Sequence, residues 1–148
     1  MLARSLVIFI CVGILAGFIF GFYLHEIKNT NQLVFVDGPS ISIVTEKSDF
    51  KKDEKIKITI VNSGTTQITF SDTSYGLKIT GLFGIMIYSP PVSQVPTILE
   101  PREEIVYVWD QIKNDNAHVL EGLYKINSNG IDSLGNNVEK SVIVNIWK

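Results

Sequence analysis

Downstream of residue 38 the sequence holds a single histidine, His118, in a polar stretch that also carries Asn114, Asp115, Asn116 and Glu121, with Asp110 just before it. Carboxylates and amides at such spacing are hard oxygen ligands of the kind calcium takes. The run nevertheless lacks the glycine and the terminal glutamate of an EF-hand loop, so these side chains are expected to be solvated. One histidine falls short of a zinc site, and a blue-copper site needs a cysteine together with two histidines. The sole cysteine, Cys11, lies far upstream in an apolar run. Serines are plentiful, but none sits in a Gly-x-Ser-x-Gly elbow, and His118 is the one candidate base for a nucleophile. The expectation is a protein that is not an enzyme, with no catalytic, cofactor-binding or metal-binding residues and no cofactor.

Two stretches suit recognition instead. Gly81-Leu82-Phe83-Gly84 reads as a hairpin tip carrying two apolar side chains, and residues 89–96, with Pro90 and Pro91, read as a stiff extended connection. Leu82, Phe83, Pro90 and Pro91 are the candidate contacts for another protein. The structural alternative has Leu82 and Phe83 folding back over the end of the domain while the prolines guard a sheet edge. Formal net charge is −2, so there is no basic footprint and no nucleic-acid partner is expected.

The elements that position these residues start with residues 5–24, which carry no charge and are rich in Leu, Ile, Val and Phe. A helix of that length spans the ~30 Å hydrocarbon core and would contact membrane lipid along its whole surface. A cleaved signal peptide would end in small residues, whereas this run ends in Gly21-Phe22-Tyr23-Leu24-His25, so residues 1–26 are read as a retained single-pass anchor. Gly13, Gly17 and Gly21 recur at every fourth position, a helix-packing stripe that would let a second copy approach and form a homo-oligomer through the anchor. Arg4 on the short side favours a cell-membrane location with the C-terminal domain extracytoplasmic. Residues 27–37 form a linker.

Residues 38–148 alternate β-branched and polar side chains with no helical period. The clearest run is Lys55-Ile56-Lys57-Ile58-Thr59-Ile60, which places three isoleucines on one face. Further strands are expected at 41–45, 67–70, 77–80, 85–88, 105–109, 123–127 and 142–147. Turns are expected at 48–49, 62–64, 114–116, 128–130 and 135–137. Short, regularly spaced strands over ~100 residues predict an all-β, immunoglobulin-like antiparallel sandwich of about seven strands; an up-and-down barrel is the alternative.

Four segments then fall in a telling order: Ile58-Thr59-Ile60-Val61-Asn62, Leu99-Glu100-Pro101-Arg102-Glu103, Val108-Trp109-Asp110 and Glu121-Gly122-Leu123-Tyr124. The order resembles the immunoglobulin-like domain shared by BsuPI-type intracellular proteinase inhibitors and the flagellar hook-cap protein. There a strand ends in Asn, a Leu-x-Pro-Gly-Glu turn leads to a strand ending in Trp-Asp, and Gly-x-Tyr opens the next strand. The resemblance covers about residues 41–147 and departs at Arg102, where that group usually has glycine. It implies inhibition of a serine protease as the alternative to a general protein-binding role. Trp109, Asp110, Gly122 and Tyr124 are read as structural, with Tyr124 placed to make a tyrosine corner.

Overall fold

The structure is a computed structural model that describes residues 4–29 and 33–148, with the side chains of residues 9–21 and 33–148. It divides into two compact units, Met1–Thr30 and Asn31–Lys148. The first contains one helix, α1 (Arg4–Asn29), which runs without a break over the apolar segment because nothing in that segment is proline. Side chains 9–21 are exposed. Among the described residues no helix is long and apolar enough to cross a membrane. The described side chains account for ~20 Å of helix against the ~30 Å of a bilayer core, and residues 5–8 and 22–24 of the expected span lie outside them.

The second unit is built from β1 (Ile41–Thr45), β2 (Asp49–Lys51), β3 (Ile56–Asn62), β4 (Ile68–Phe70), β5 (Lys78–Gly81), β6 (Met86–Tyr88), β7 (Thr97–Leu99), β8 (Glu104–Trp109), β9 (Gly122–Asp132) and β10 (Asn137–Trp147). One sheet has the order β1-β3-β8; the other runs β2-β10-β9-β4-β7, with β5 also on β9 and β6 on β5. All pairings are antiparallel except β2 with β10. Side chains of both sheets meet in one core, which gives the unit its β-sandwich character. The alternation in β3 supplies Ile56, Ile58 and Ile60 to that core, while Ile126, Val144 and Ile146 come from the facing sheet.

Several elements differ from expectation. Residues 48–49 read as a turn, yet Asp49 opens β2, which buries Phe50 completely beside β10. Residues 128–130 also looked like a turn, but they lie inside β9. The buried Ser128 hydroxyl donates to the Tyr75 carbonyl at 2.7 Å, and a Cβ at Gly130 would meet Ile68 Cγ2 at 2.5 Å. Ser-Asn-Gly here serves close packing, and the chain reverses after Asp132 instead, with Gly135 at φ 85°. The short β7 gave no periodic signal at all.

The chain enters the sandwich beside the β3–β4 turn, where the Val36 amide donates to the Ser63 carbonyl and the Thr65 amide to the Gly38 carbonyl, both at 2.9 Å. At that same end the β9 terminus lies beside Ile68. The opposite end holds the start of β9, the end of β8 and the β5–β6 hairpin, since Gly81 faces Tyr124.

Candidate functional site

Leu82 and Phe83 sit at the tip of the β5–β6 hairpin. Gly81 and Gly84 close the turn: the Gly84 amide donates to the Gly81 carbonyl at 3.0 Å, and the Gly81 amide to the Ile85 carbonyl at 2.9 Å. Gly84 takes φ 80°, a conformation that side chains with a Cβ resist. The tip does not fold back over the domain. Phe83 is 95% exposed and Leu82 50%, and Ile85, Met86 and Leu120 are exposed as well. Sequence alone placed Ile85 in a strand and so missed that it and Met86 share the tip's exposed apolar character.

The two prolines separate in burial: Pro90 is buried and Pro91 exposed. Both line a groove of about 640 Å³ together with Tyr88, Val108, Asp110 and Ile112. Burial first, and then the charge of Asp110, raise the Tyr88 phenol above its ordinary pKa, so it stays a neutral hydroxyl at physiological pH.

Beneath the groove an aromatic cluster holds the β8–β9 connection. Trp109, 1% exposed, lies 6.2 Å from the Tyr88 ring and meets the Tyr124 ring at 5.8 Å, nearly edge-on. Its indole Nε1 donates to the Ile112 carbonyl at 2.9 Å. The Tyr124 hydroxyl donates to the Leu120 carbonyl at 2.6 Å and so makes a corner bond. Gly122 reaches Tyr124 through φ 145°, which a residue with a side chain adopts only under strain. Tyr124→Phe removes the donor and leaves a carbonyl poorly paired, so stability should fall by about 1–2 kcal/mol in a urea titration. An unchanged midpoint would show that the corner bond contributes nothing.

Two buried amides escaped sequence reasoning as site-building residues. Gln111 stands at φ 62°; its side-chain oxygen accepts from the Asp53 amide at 2.9 Å, and its nitrogen donates to the Lys51 and Glu54 carbonyls at 2.8 Å. Asn62 does the same for the opposite end. Arg102 takes φ 68° and lays its guanidinium over the Phe35 ring at 5.8 Å. His118 is exposed and its Nδ1 lies 2.9 Å from Asp53. Asp110, Asp115 and Glu121 do not converge: among the described residues no three His, Cys, Asp or Glu side chains could hold a metal. In α1, Gly13, Gly17 and Gly21 have open space where a Cβ would stand.

No protein-family model matches the chain, and no curated protein sequence does. Among solved structures it is similar to PorZ, an essential bacterial surface component of the type-IX secretion system of Porphyromonas gingivalis. The identity is 14% and the TM-score 0.39, over 72% of this chain and 12% of that one.

Proposed function

We propose that this protein is a membrane-anchored, non-catalytic immunoglobulin-like module that binds another protein at the extracytoplasmic surface. The observation that carries the proposal is the hairpin tip, where Phe83 and Leu82 stand in solvent at the end opposite the one by which the chain enters the sandwich. Exposed, adjacent large apolar side chains on a glycine-closed turn contribute little to the core, and a partner gives them a reason to be there. The double variant Leu82→Ser with Phe83→Ser should therefore abolish capture of the partner from native membranes while shifting stability by less than about 0.5 kcal/mol. A loss of about 2–4 kcal/mol, the scale of truncating buried side chains, would overturn the reading.

The immunoglobulin-like assignment is supported by two sheets, antiparallel but for the β2–β10 pair, around a buried tryptophan and by a corner tyrosine at the start of β9. The anchor is supported by the uncharged run 5–24 and the unbroken course of α1 through it. On this reading the full-length chain stays in the membrane fraction after alkaline washing; release into the supernatant, or a mature chain beginning near residue 25, would remove the anchor.

A second reading, a BsuPI-like inhibitor of a serine protease, is favoured by Arg102, whose left-handed backbone keeps the geometry a glycine would have at that turn. Incubating the full chain with a panel of serine proteases separates the two, since the binding module leaves all of them active.

A further inference from the structure

Among the described residues the outer edge of β8 is left open: β8 pairs only with β3, and the Asn62 amide donates to the Glu103 carbonyl at 3.0 Å, which sets the alternation of the ladder. Ile105, Tyr107 and Trp109 thus bond inward to β3, while the amides and carbonyls of Glu104, Val106 and Val108 point to the free side. Edge strands are ordinarily blunted by proline, lysine or a bulge within the strand. The six residues of β8, Glu104-Ile105-Val106-Tyr107-Val108-Trp109, contain neither proline nor lysine.

The side chains on this edge follow a pattern. Glu104, Val106 and Val108 face away from the core and are exposed, and exposed Asp110 follows two residues after Val108. At the Trp109 end the edge runs into the groove lined by Tyr88, Pro90, Pro91, Val108 and Asp110, whose roughly 640 Å³ lies within the range of sites that hold ligands. The Asp110 carboxylate has no hydrogen-bond or ion-pair partner among the described residues.

We infer that the β8 edge accepts an extended segment of another protein as an added strand. The segment would carry basic residues opposite Glu104 and Asp110 and β-branched residues opposite Val106 and Val108. Backbone bonds at alternate residues supply the attachment. Cross-strand pairs on one face supply the selection: opposite charges attract, valine pairs with β-branched neighbours, and a segment with acids at its ends is repelled. A second copy of β8 is a poorer occupant. Antiparallel pairing of two such edges with Val106 set against Val108 brings Glu104 of each copy opposite Asp110 of the other, so like charges meet at both ends. The inference shares with the proposed function only the premise of an anchored binding module and uses a different surface from the hairpin.

The test uses the full chain in detergent micelles and a short peptide that alternates threonine with lysine, valine, valine and lysine. Amide hydrogen exchange on the unaltered chain should show peptide-dependent protection at Glu104, Val106 and Val108, with Ile105 and Tyr107 protected already. Val106→Pro deletes one edge donor that β3 does not use, a substitution that edges tolerate; it should weaken peptide binding at least tenfold. Asp110→Asn should weaken it several-fold, and replacing the peptide lysines by glutamate should abolish it. Leu82→Ser with Phe83→Ser should leave it unchanged, which separates this surface from the hairpin. Absence of protection, protection confined to other strands, or concentration-dependent self-association lost in Val106→Pro would overturn the inference. Should Val106→Pro fail to fold, the exchange result on the unaltered chain decides alone.

Discussion

Asn62→Ala lowers the stability of the sandwich by about 3–5 kcal/mol, read as a shifted urea midpoint of the full chain. The side chain is fully buried at the end of β3 and serves three backbone groups at once. Its amide nitrogen donates to the Thr66 and Leu99 carbonyls, both at 2.8 Å, and its oxygen accepts from the Gly64 amide at 3.0 Å. Alanine leaves one donor and two acceptors without partners where water reaches them poorly, at about 1–3 kcal/mol each before relaxation. Asn62→Asp is the informative companion: it keeps the acceptor for Gly64, loses both donors, and should be no better than alanine. A cost under about 1 kcal/mol for both variants would mean that the turn satisfies its own backbone without Asn62.

The second large effect is expected at Trp109. Trp109→Ala removes the ring between Tyr88 and Tyr124, leaves the Ile112 carbonyl unpaired and opens a cavity, and should cost about 3–5 kcal/mol. Trp109→Phe keeps most of the packing and loses the indole donor, so it should recover more than half of that. The Trp109 ring also lines up the residues that shape the groove. For that reason Trp109→Phe should loosen the connection that carries Ile112 and Val119. Equal stability of the alanine and phenylalanine variants would exclude a packing role.

Much of the architecture can be traced to strict period-two alternation. Ile56, Ile58 and Ile60 announce their buried face without any neighbours in view, and β1, β4 and β8 follow from similar runs. The misreadings come where a residue type has two uses. Ser128, Asn129 and Gly130 are turn formers by composition, but a strand that must pass close under Ile68 and Phe70 needs small residues too, and only the fold tells the two apart. β2 and β7 were missed for lack of pattern: in β2 Phe50 stands alone between charged Asp49 and Lys51, and in β7 Ile98 and Leu99 are adjacent rather than alternating. Of the candidate site, the Leu82–Phe83 tip was legible because glycines bracket it. The Pro90 and Pro91 stretch was legible as a stiff connection, but not the fact that Pro90 turns inward. The groove, the open β8 edge and the clasps made by Asn62 and Gln111 are long-range arrangements: Gln111 reaches Lys51 across 60 positions of sequence.

The one parallel pairing, β2 with β10, bears on how the protein is made. Asp49 and Asn145 are joined by a 2.9 Å side-chain bond although 96 positions apart, and the fully buried Phe50 lies in register with Ile146 of β10. A chain emerging from the ribosome exposes β2 early and must hold it unpaired until β10 arrives. Contacts of such long sequence separation close slowly, because the loop entropy is lost before the contact repays it. Nascent chains stalled before β10 should therefore present Phe50 and the lone β2 edge to holding chaperones, and release of β10 sets the moment at which the domain becomes resistant to protease.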